Sequence, residues 1–161
     1  MEIMPGFSRV LAGVLLAALA FGLAFGADLP EGFSAPTHVL AQSWWDEVDL
    51  LSRVVMGEAT GEPFAGQVAV AAVILNRTRS PQFPSTLSGV VYDIDAFESV
   101  TNGLIWSRPP ADEEVRAAEL AINGWDPTGG ALFFWNPSKP VSPWIWSRAI
   151  ITEIGNHVFA R

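Results

Sequence analysis

The sequence predicts an α+β fold, a mainly helical domain with a small antiparallel sheet near the C-terminus. Three observations predict it. Residues 51–77 hold two apolar helical segments joined by a tight polar elbow. Residues 112–123 repeat the helical period, with Val115, Ala118 and Ile122 on one face. Past residue 130 the pattern changes to short strand-like runs, first Ala131–Trp135 and then Ile150–Ile154 and His157–Ala160 around a Gly155-Asn156 turn.

The N-terminus has the pattern of an export signal. Arg9 closes a short polar region, and Val10 to Phe25 is almost wholly Ala, Leu, Val, Phe and Gly. That stretch is short for a membrane span, and Ala24-Phe25-Gly26 offers small residues before a cut after Gly26. The reading is residues 1–26 as a signal peptide, 27–43 as a Pro- and Gly-containing spacer, and 44–161 as one catalytic domain. An exported protein of the bacterial envelope follows, touching a membrane only through the N-terminal segment if that segment stays uncleaved.

Composition narrows the function classes. The net charge is −8, and removing residues 1–26 takes away one acid and one base. That argues against nucleic acid as a partner. There is no cysteine, so neither a thiolate nucleophile nor a disulfide is available. Only His38 and His157 are present, without an H-E-x-x-H motif, so no metal and no other cofactor is expected. There is no G-x-S-x-G for a serine hydrolase. The seven tryptophans stand out; each taken singly is expected in the core, although Trp faces also suit ligand surfaces.

Taken in order, the first helix is expected from near Ser43 to about Gly57, with Asp46 and Glu47 in a first turn that favours negative charge. Gly61 can adopt the positive φ that stops it, and Pro63 fits the first turn of the next helix. That second helix, Phe64 to Thr78, is apolar nearly all round and so central; Arg77 is expected to cap its C-terminal end. A short helix is expected around Ser85–Val90. Tyr92–Trp106 reads as a long loop of alternating aromatic and polar residues, the usual material of a ligand groove.

Carboxylate chemistry remains. Val48, Leu51, Val55 and Glu58 share one helical face, so Glu58 should project from the last turn beside an apolar stripe. Apolar walls disfavour the charged form of a carboxyl, which suits a proton donor working near neutrality. Glu62, Glu98 and Asp126 are candidates for a second carboxylate, in that order; Glu62 has a competing role in capping the second helix. Phe97, Asn102, Phe134 and Asn136 pair aromatic faces with amides and are the candidate substrate-binding residues. Strand alternation puts Ala131, Phe133 and Trp135 on one face and Leu132 and Phe134 on the other. One set should enter the core; Phe134 is assigned to the groove, where its removal should cost little stability.

The stretches GEATGEP, GQVAVAAVILNR, AFESVTNG, NGWDPTGGALFFWNP, PWIWSR and GNHVFAR together resemble the SleB-type cell wall hydrolases, the spore-cortex-lytic family. The resemblance covers about Asp49 to Arg161. It implies a lysozyme-like domain that cuts the glycan strands of peptidoglycan, with Glu58 as the catalytic acid. It implies a lytic transglycosylase acting at the N-acetylmuramic acid–N-acetylglucosamine bond, and a role in spore cortex lysis during germination. A hydrolytic muramidase using a second carboxylate, or a non-catalytic glycan-binding envelope protein, are the alternatives. Many family members carry an N-terminal peptidoglycan-binding module; here residues 27–43 stand in that place. A protein partner in the envelope or spore is left unnamed by these motifs.

Overall fold

A computed structural model describes residues 37–161, with side chains from residue 43 onward. The signal-peptide assignment and most of the spacer lie outside the described residues. Residues 40–161 form one compact unit. In chain order the elements are α1 (Thr37–Ala59), α2 (Phe64–Thr78), α3 (Leu87–Val91), α4 (Glu98–Thr101), a 3-10 turn Leu104–Trp106, α5 (Asp112–Ile122), β1 (Phe133–Trp135), a second 3-10 turn Pro143–Ser147, β2 (Ile150–Ile154) and β3 (His157–Ala160). No described helix is long and apolar enough to cross a membrane.

Helix α1 is longer at both ends than expected. It begins at Thr37 rather than near Ser43. No Gly or Pro follows Pro36 until Gly57, so nothing in residues 37–42 breaks the helix. Asp46 and Glu47 therefore sit mid-helix. At the other end Gly57 is helical, and the chain leaves the helix after Ala59 through Gly61 at φ +85°. Glu58 thus lies inside the last turn. Pro63 precedes α2 as expected, and no side chain caps that helix.

Helix α2 is the centre of the molecule. Val68 to Ile74 are buried on every side. Leu51, Val54 and Val55 of α1, Ala117, Ala118 and Ala121 of α5, and Phe159 of β3 pack in one core with it. The alanines of α5 let that helix come close to α2. Thr86 caps α3 by accepting the Gly89 N–H at 3.1 Å. Helix α5 starts at Asp112 after Ala111, and the Glu114 carboxylate accepts the Ala111 N–H at 2.7 Å. The expected Tyr92–Trp106 loop is in part helical, as α4 and the first 3-10 turn.

The sheet has the order β1-β3-β2, both pairs antiparallel. Residue 159 faces the helical core, while Val158 and Ala160 join Trp135, Val141 and Ile145 in a second apolar cluster on the opposite face. The chain from 137 to 149 therefore covers the side of the sheet away from the helices. Strand β1 is shorter than the expected Ala131–Trp135. The carbonyls of Ala131 and Leu132 are taken by side chains of α2, Asn76 Nδ2 at 3.1 Å and Arg77 Nε at 2.8 Å. Arg77 thus ties α2 to the sheet instead of capping its own helix.

The tryptophans depart from expectation. Trp135 is buried, but Trp45, Trp106, Trp125, Trp144 and Trp146 are each more than two-fifths exposed. Two of them carry an arginine on the ring, Arg53 over Trp106 at 4.7 Å and Arg148 over Trp144 at 4.5 Å. A guanidinium is weakly hydrated and covers an aromatic face without leaving water.

Candidate active site

A cavity of about 370 Å³ opens where the end of α1, helix α4 and the end of β1 converge. Glu58 lines it, with Phe97, Glu98, Ser99 and Asn102 from the α4 region and Phe134 and Asn136 from β1 and the residue after it. Six of the eight named site residues therefore fall on one cavity: Glu58, Glu98, Phe97, Asn102, Phe134 and Asn136. Glu62 and Asp126 do not line it.

The position of Glu58 follows from local packing. Ser99 is buried at the first turn of α4 and reaches across to the end of α1. Its N–H and its hydroxyl both donate to Glu58 Oε1, at 3.1 and 2.6 Å. A Cβ on Gly57 would come within 2.4 Å of the Ser99 Cβ and 2.6 Å of its Oγ. Glycine at position 57 is what lets α4 approach, and the approach fixes the carboxyl. Glu58 Oε2 takes no hydrogen bond among the described residues and remains for a ligand. The surroundings are more polar than the apolar stripe suggested: a hydroxyl, an amide N–H and a nearby guanidinium face the carboxyl. Ser99 carried no recognisable role in the sequence, because its contact with Glu58 spans 41 residues. The glycine directly before Glu58 was the one signal that another segment comes close.

Arg77 is the second unforeseen member. It is 9% exposed and lines the cavity. Its guanidinium carbon lies 5.1, 5.2 and 6.0 Å from the ring centres of Phe83, Phe97 and Phe133. Burial among these rings lowers its pKa to about 10, against the opposing pull of Asp93 and Glu58.

The other candidates separate clearly. Glu62 turns away toward the β2–β3 hairpin. Its Oε2 accepts the Asn156 N–H at 2.8 Å and its Oε1 accepts Asn156 Nδ2 at 3.0 Å. It does not cap α2. A Cβ on Gly155 would collide with the Glu62 carboxylate, so that turn position also requires glycine. Asp126 holds its own loop, accepting from Thr128 N, Thr128 Oγ1, Gly130 N and Asn76 Nδ2. Burial raises its pKa, and these hydrogen bonds outweigh burial and bring it below the ordinary value. With both oxygens engaged and no place on the cavity, Asp126 is a scaffold residue. Glu98 is exposed at the cavity wall. Asn102 and Asn136 each bend their own loop, their Oδ1 atoms accepting from Leu104 N and Ser138 N at 2.9 Å; among the described residues their amide nitrogens make no hydrogen bond.

Phe97 is buried at 3% exposure, and Phe134 stacks on it with centres 6.4 Å apart and planes at 26°. Phe134 also packs against the helical core and meets His157 edge-on at 5.4 Å. The division of β1 into a core face and a groove face therefore fails: Phe134 serves both. Phe133 and Trp135, on the other face, are met by Trp144 and Trp146 of the second 3-10 turn. His157 is buried between the cavity and Glu62, with Nδ1 3.7 Å from Glu62 Oε1. Burial lowers its pKa, with Glu62 and Glu58 pulling the other way and Lys139 adding to the lowering. Among the described residues no three His, Cys, Asp or Glu side chains gather as a metal site.

Comparison with known proteins places this architecture. The spore cortex-lytic enzyme of Oceanobacillus iheyensis is 46% identical over 135 residues, 83% of this chain and 45% of that protein. The spore cortex-lytic enzyme of Bacillus subtilis is 47% identical over 137 residues, 84% of this chain and 41% of that one. This chain thus spans about half the length of these relatives or less. Cell wall hydrolase CwlJ of Bacillus subtilis is 30% identical over 120 residues, covering 83% of its length. The crystal structure of the catalytic domain of the Bacillus cereus SleB protein superposes with a TM-score of 0.68 at 43% identity, over 84% of this chain and 99% of that one. A family model described as Cell Wall Hydrolase matches residues 61–160. The chain belongs to the cell wall hydrolase family.

Proposed function

We propose that this protein is exported and cleaves the glycan strands of peptidoglycan at the N-acetylmuramic acid–N-acetylglucosamine bond, as a lytic transglycosylase with Glu58 as general acid and then base. The observation that carries this reading is the unequal state of the two Glu58 oxygens. Oε1 is anchored by Ser99, whereas Oε2 takes no hydrogen bond among the described residues, and the side chain lines the cavity. An anchored carboxyl with one free oxygen can present a proton to a bound ligand in a fixed direction.

In the first step the proton on Oε2 passes to the glycosidic oxygen, the C1–O bond breaks, and positive charge develops at C1 of the muramic residue. In the second step the 6-hydroxyl oxygen of that same sugar attacks C1, and its proton returns to Glu58. The product is a 1,6-anhydro sugar, and no water is consumed. An internal hydroxyl acts at a high effective concentration, so a second carboxylate is not needed. Ser99 holds Oε1 through both steps and so keeps the carboxyl in one orientation while it gives and takes back the proton.

Hydrolysis is the second reading, and the observation in its favour is Glu98 on the same cavity. Mass analysis of released muropeptides separates the two: transglycosylation gives products one water lighter than hydrolysis. A majority of products with a free reducing end would overturn the transglycosylase reading in favour of hydrolysis, with Glu98→Gln then the variant that tests the base. Because the relatives from Oceanobacillus iheyensis and Bacillus subtilis described above are spore cortex-lytic enzymes, cortex peptidoglycan of germinating spores is the natural first substrate to assay.

A further inference from the structure

The protein is acidic, with a net charge of −8, and its candidate substrate is an acidic polymer. Yet the cavity that holds Glu58 also holds two cations, Arg77 and Lys139. Arg77 is the unusual one. It is more than nine-tenths buried. Its Nε donates to the Leu132 carbonyl at 2.8 Å. Among the described residues its two terminal nitrogens make no hydrogen bond, and no carboxylate lies within 4.0 Å of it. A buried cation without an ion-pair partner is expensive to keep, because desolvation is not repaid by a close anion. Three phenylalanine rings lie 5.1, 5.2 and 6.0 Å from the guanidinium carbon, and apolar rings offer the terminal N–H groups no acceptor to hydrogen-bond.

Lys139 comes from the segment between β1 and the second 3-10 turn and is exposed. The remaining charged or titratable groups on the cavity are Glu58, Glu98 and His157. Glu58 carries no charge while it holds the proton it donates. His157 is kept neutral near pH 7 by its burial. Glu98 stands on the exposed wall. Among the side chains that line the cavity, the proton-donating state therefore has two cations against the one anion Glu98, and Asp93, whose charge reaches Arg77 from outside the lining, offsets part of that excess.

We propose that Arg77, assisted by Lys139, forms a carboxylate-binding subsite in the cavity that selects glycans bearing an acidic side arm over neutral glycans. The reading rests on the glycan-cleaving function proposed above. A planar guanidinium edge matches a carboxylate through two parallel N–H···O bonds, a fit that hydroxyls of a neutral sugar do not reproduce. The carboxylate can come from a free lactyl group on the sugar or from a stem peptide attached to it.

The test measures binding in the Glu58→Gln background, where turnover does not interfere. Three probes of equal sugar length are compared by calorimetry: a tetrasaccharide of alternating N-acetylglucosamine and N-acetylmuramic acid with free lactyl groups, the same tetrasaccharide carrying stem peptides, and neutral tetra-N-acetylchitotetraose. The acidic probes should bind at least about tenfold tighter than the neutral one, as expected for one charge-assisted hydrogen-bonded pair. That preference should weaken with added salt. Lys139→Ala should reduce it several-fold, and Arg77→Gln should abolish it. If Arg77→Gln does not fold, because the Leu132 tie is lost, Lys139→Ala and the salt dependence decide. Preference for the peptide-bearing probe alone assigns the subsite to the stem peptide, preference for the free-lactyl probe alone assigns it to the lactyl carboxylate, which the amide bond to a stem peptide consumes, and equal preference for both shows that either carboxylate serves. Equal affinity for acidic and neutral probes overturns the proposal, and so does a preference that survives both substitutions. Muropeptide release by the wild-type protein is measured alongside. Release without acidic preference overturns this subsite alone, whereas no release and no binding of any probe overturns the glycan-cleaving reading with it.

Discussion

Glu58 and Glu62 stand on the two sides of one elbow, and their surroundings differ in kind. Glu58 lines a cavity and has one oxygen held by Ser99 and the other without a hydrogen bond among the described residues. Glu62 has both oxygens held by Asn156, and its side chain is almost entirely enclosed. One group is aimed and the other is tied. A carboxylate whose acceptor sites are taken up by its own protein organises structure; one with a spare oxygen facing a ligand space can exchange a proton. Asp126, saturated by four donors, falls on the side of Glu62.

The largest effect should come from the aimed group. Glu58→Gln keeps the shape and removes the transferable proton, so lysis of purified peptidoglycan should drop by about 10²–10⁴ with the melting temperature nearly unchanged. Wild-type turnover in a folded variant would end the role assigned to Glu58. Phe134 bridges the two sides, stacking on Phe97 and meeting His157. Phe134→Ala should destabilise the protein by about 3 kcal/mol, read by chemical denaturation. A much smaller loss would return Phe134 to a purely ligand-facing role.

The tied group should behave differently. Glu62→Ala leaves the Asn156 N–H without its partner and should cost about 1–3 kcal/mol of stability, while activity per folded molecule stays close to wild type. A Glu62→Ala variant that melts normally but has lost lysis would break the contrast and make Glu62 the second carboxylate. Ser99→Ala, which removes the 2.6 Å donor to Glu58, should lower turnover by about tenfold, the worth of one hydrogen bond to a charged group. An unchanged rate would mean that the Ser99 N–H alone suffices to aim Glu58.

The smallest effect concerns pH. The folded protein holds the His157 pKa below its ordinary 6.5, chiefly through burial. Below 6.5 the unfolded chain takes up a proton that the folded protein resists. Stability is therefore fully present above 6.5 and falls as the pH drops toward the folded value. Glu114 and Asp126 are also held below their ordinary values, 4.5 and 3.8, and lose their contribution only at lower pH. Denaturation midpoints compared at about pH 7 and about pH 5.5 should thus show a decline that His157→Gln flattens. An identical decline in the variant would assign it to another group.

Much of this architecture could be read directly from the sequence. The breakers Gly61 and Pro63 marked the elbow, the all-round apolar run marked α2 as central, and Gly155-Asn156 marked the hairpin. Those signals act over a few residues, as do the propensities behind them. What escaped was non-local. The start of α1 was hidden because Asp46 and Glu47 resemble a first turn. The hold of Ser99 on Glu58, of Arg77 on the Leu132 carbonyl and of Asn156 on Glu62 each join distant segments. Helical phase placed Glu58 on the right face but made its setting too apolar, since the donors come from another part of the chain. Alternation sorted Phe134 from its neighbours, but a three-residue strand beside a cavity lets one ring fill core and line a pocket together.

Strand β2 lies at the edge of the sheet, and its pairing with β3 slips between Ile150 and Thr152. The slip leaves Ile150 and Ile151 both largely exposed. Two adjacent isoleucines on a regular edge would be an open template for another chain to extend by β-pairing, and so a route to aggregation. The bulge denies that template a continuous ladder and increases the local twist, so an incoming strand finds no register to follow. An irregularity of one residue thus guards the folded chain against edge-to-edge association.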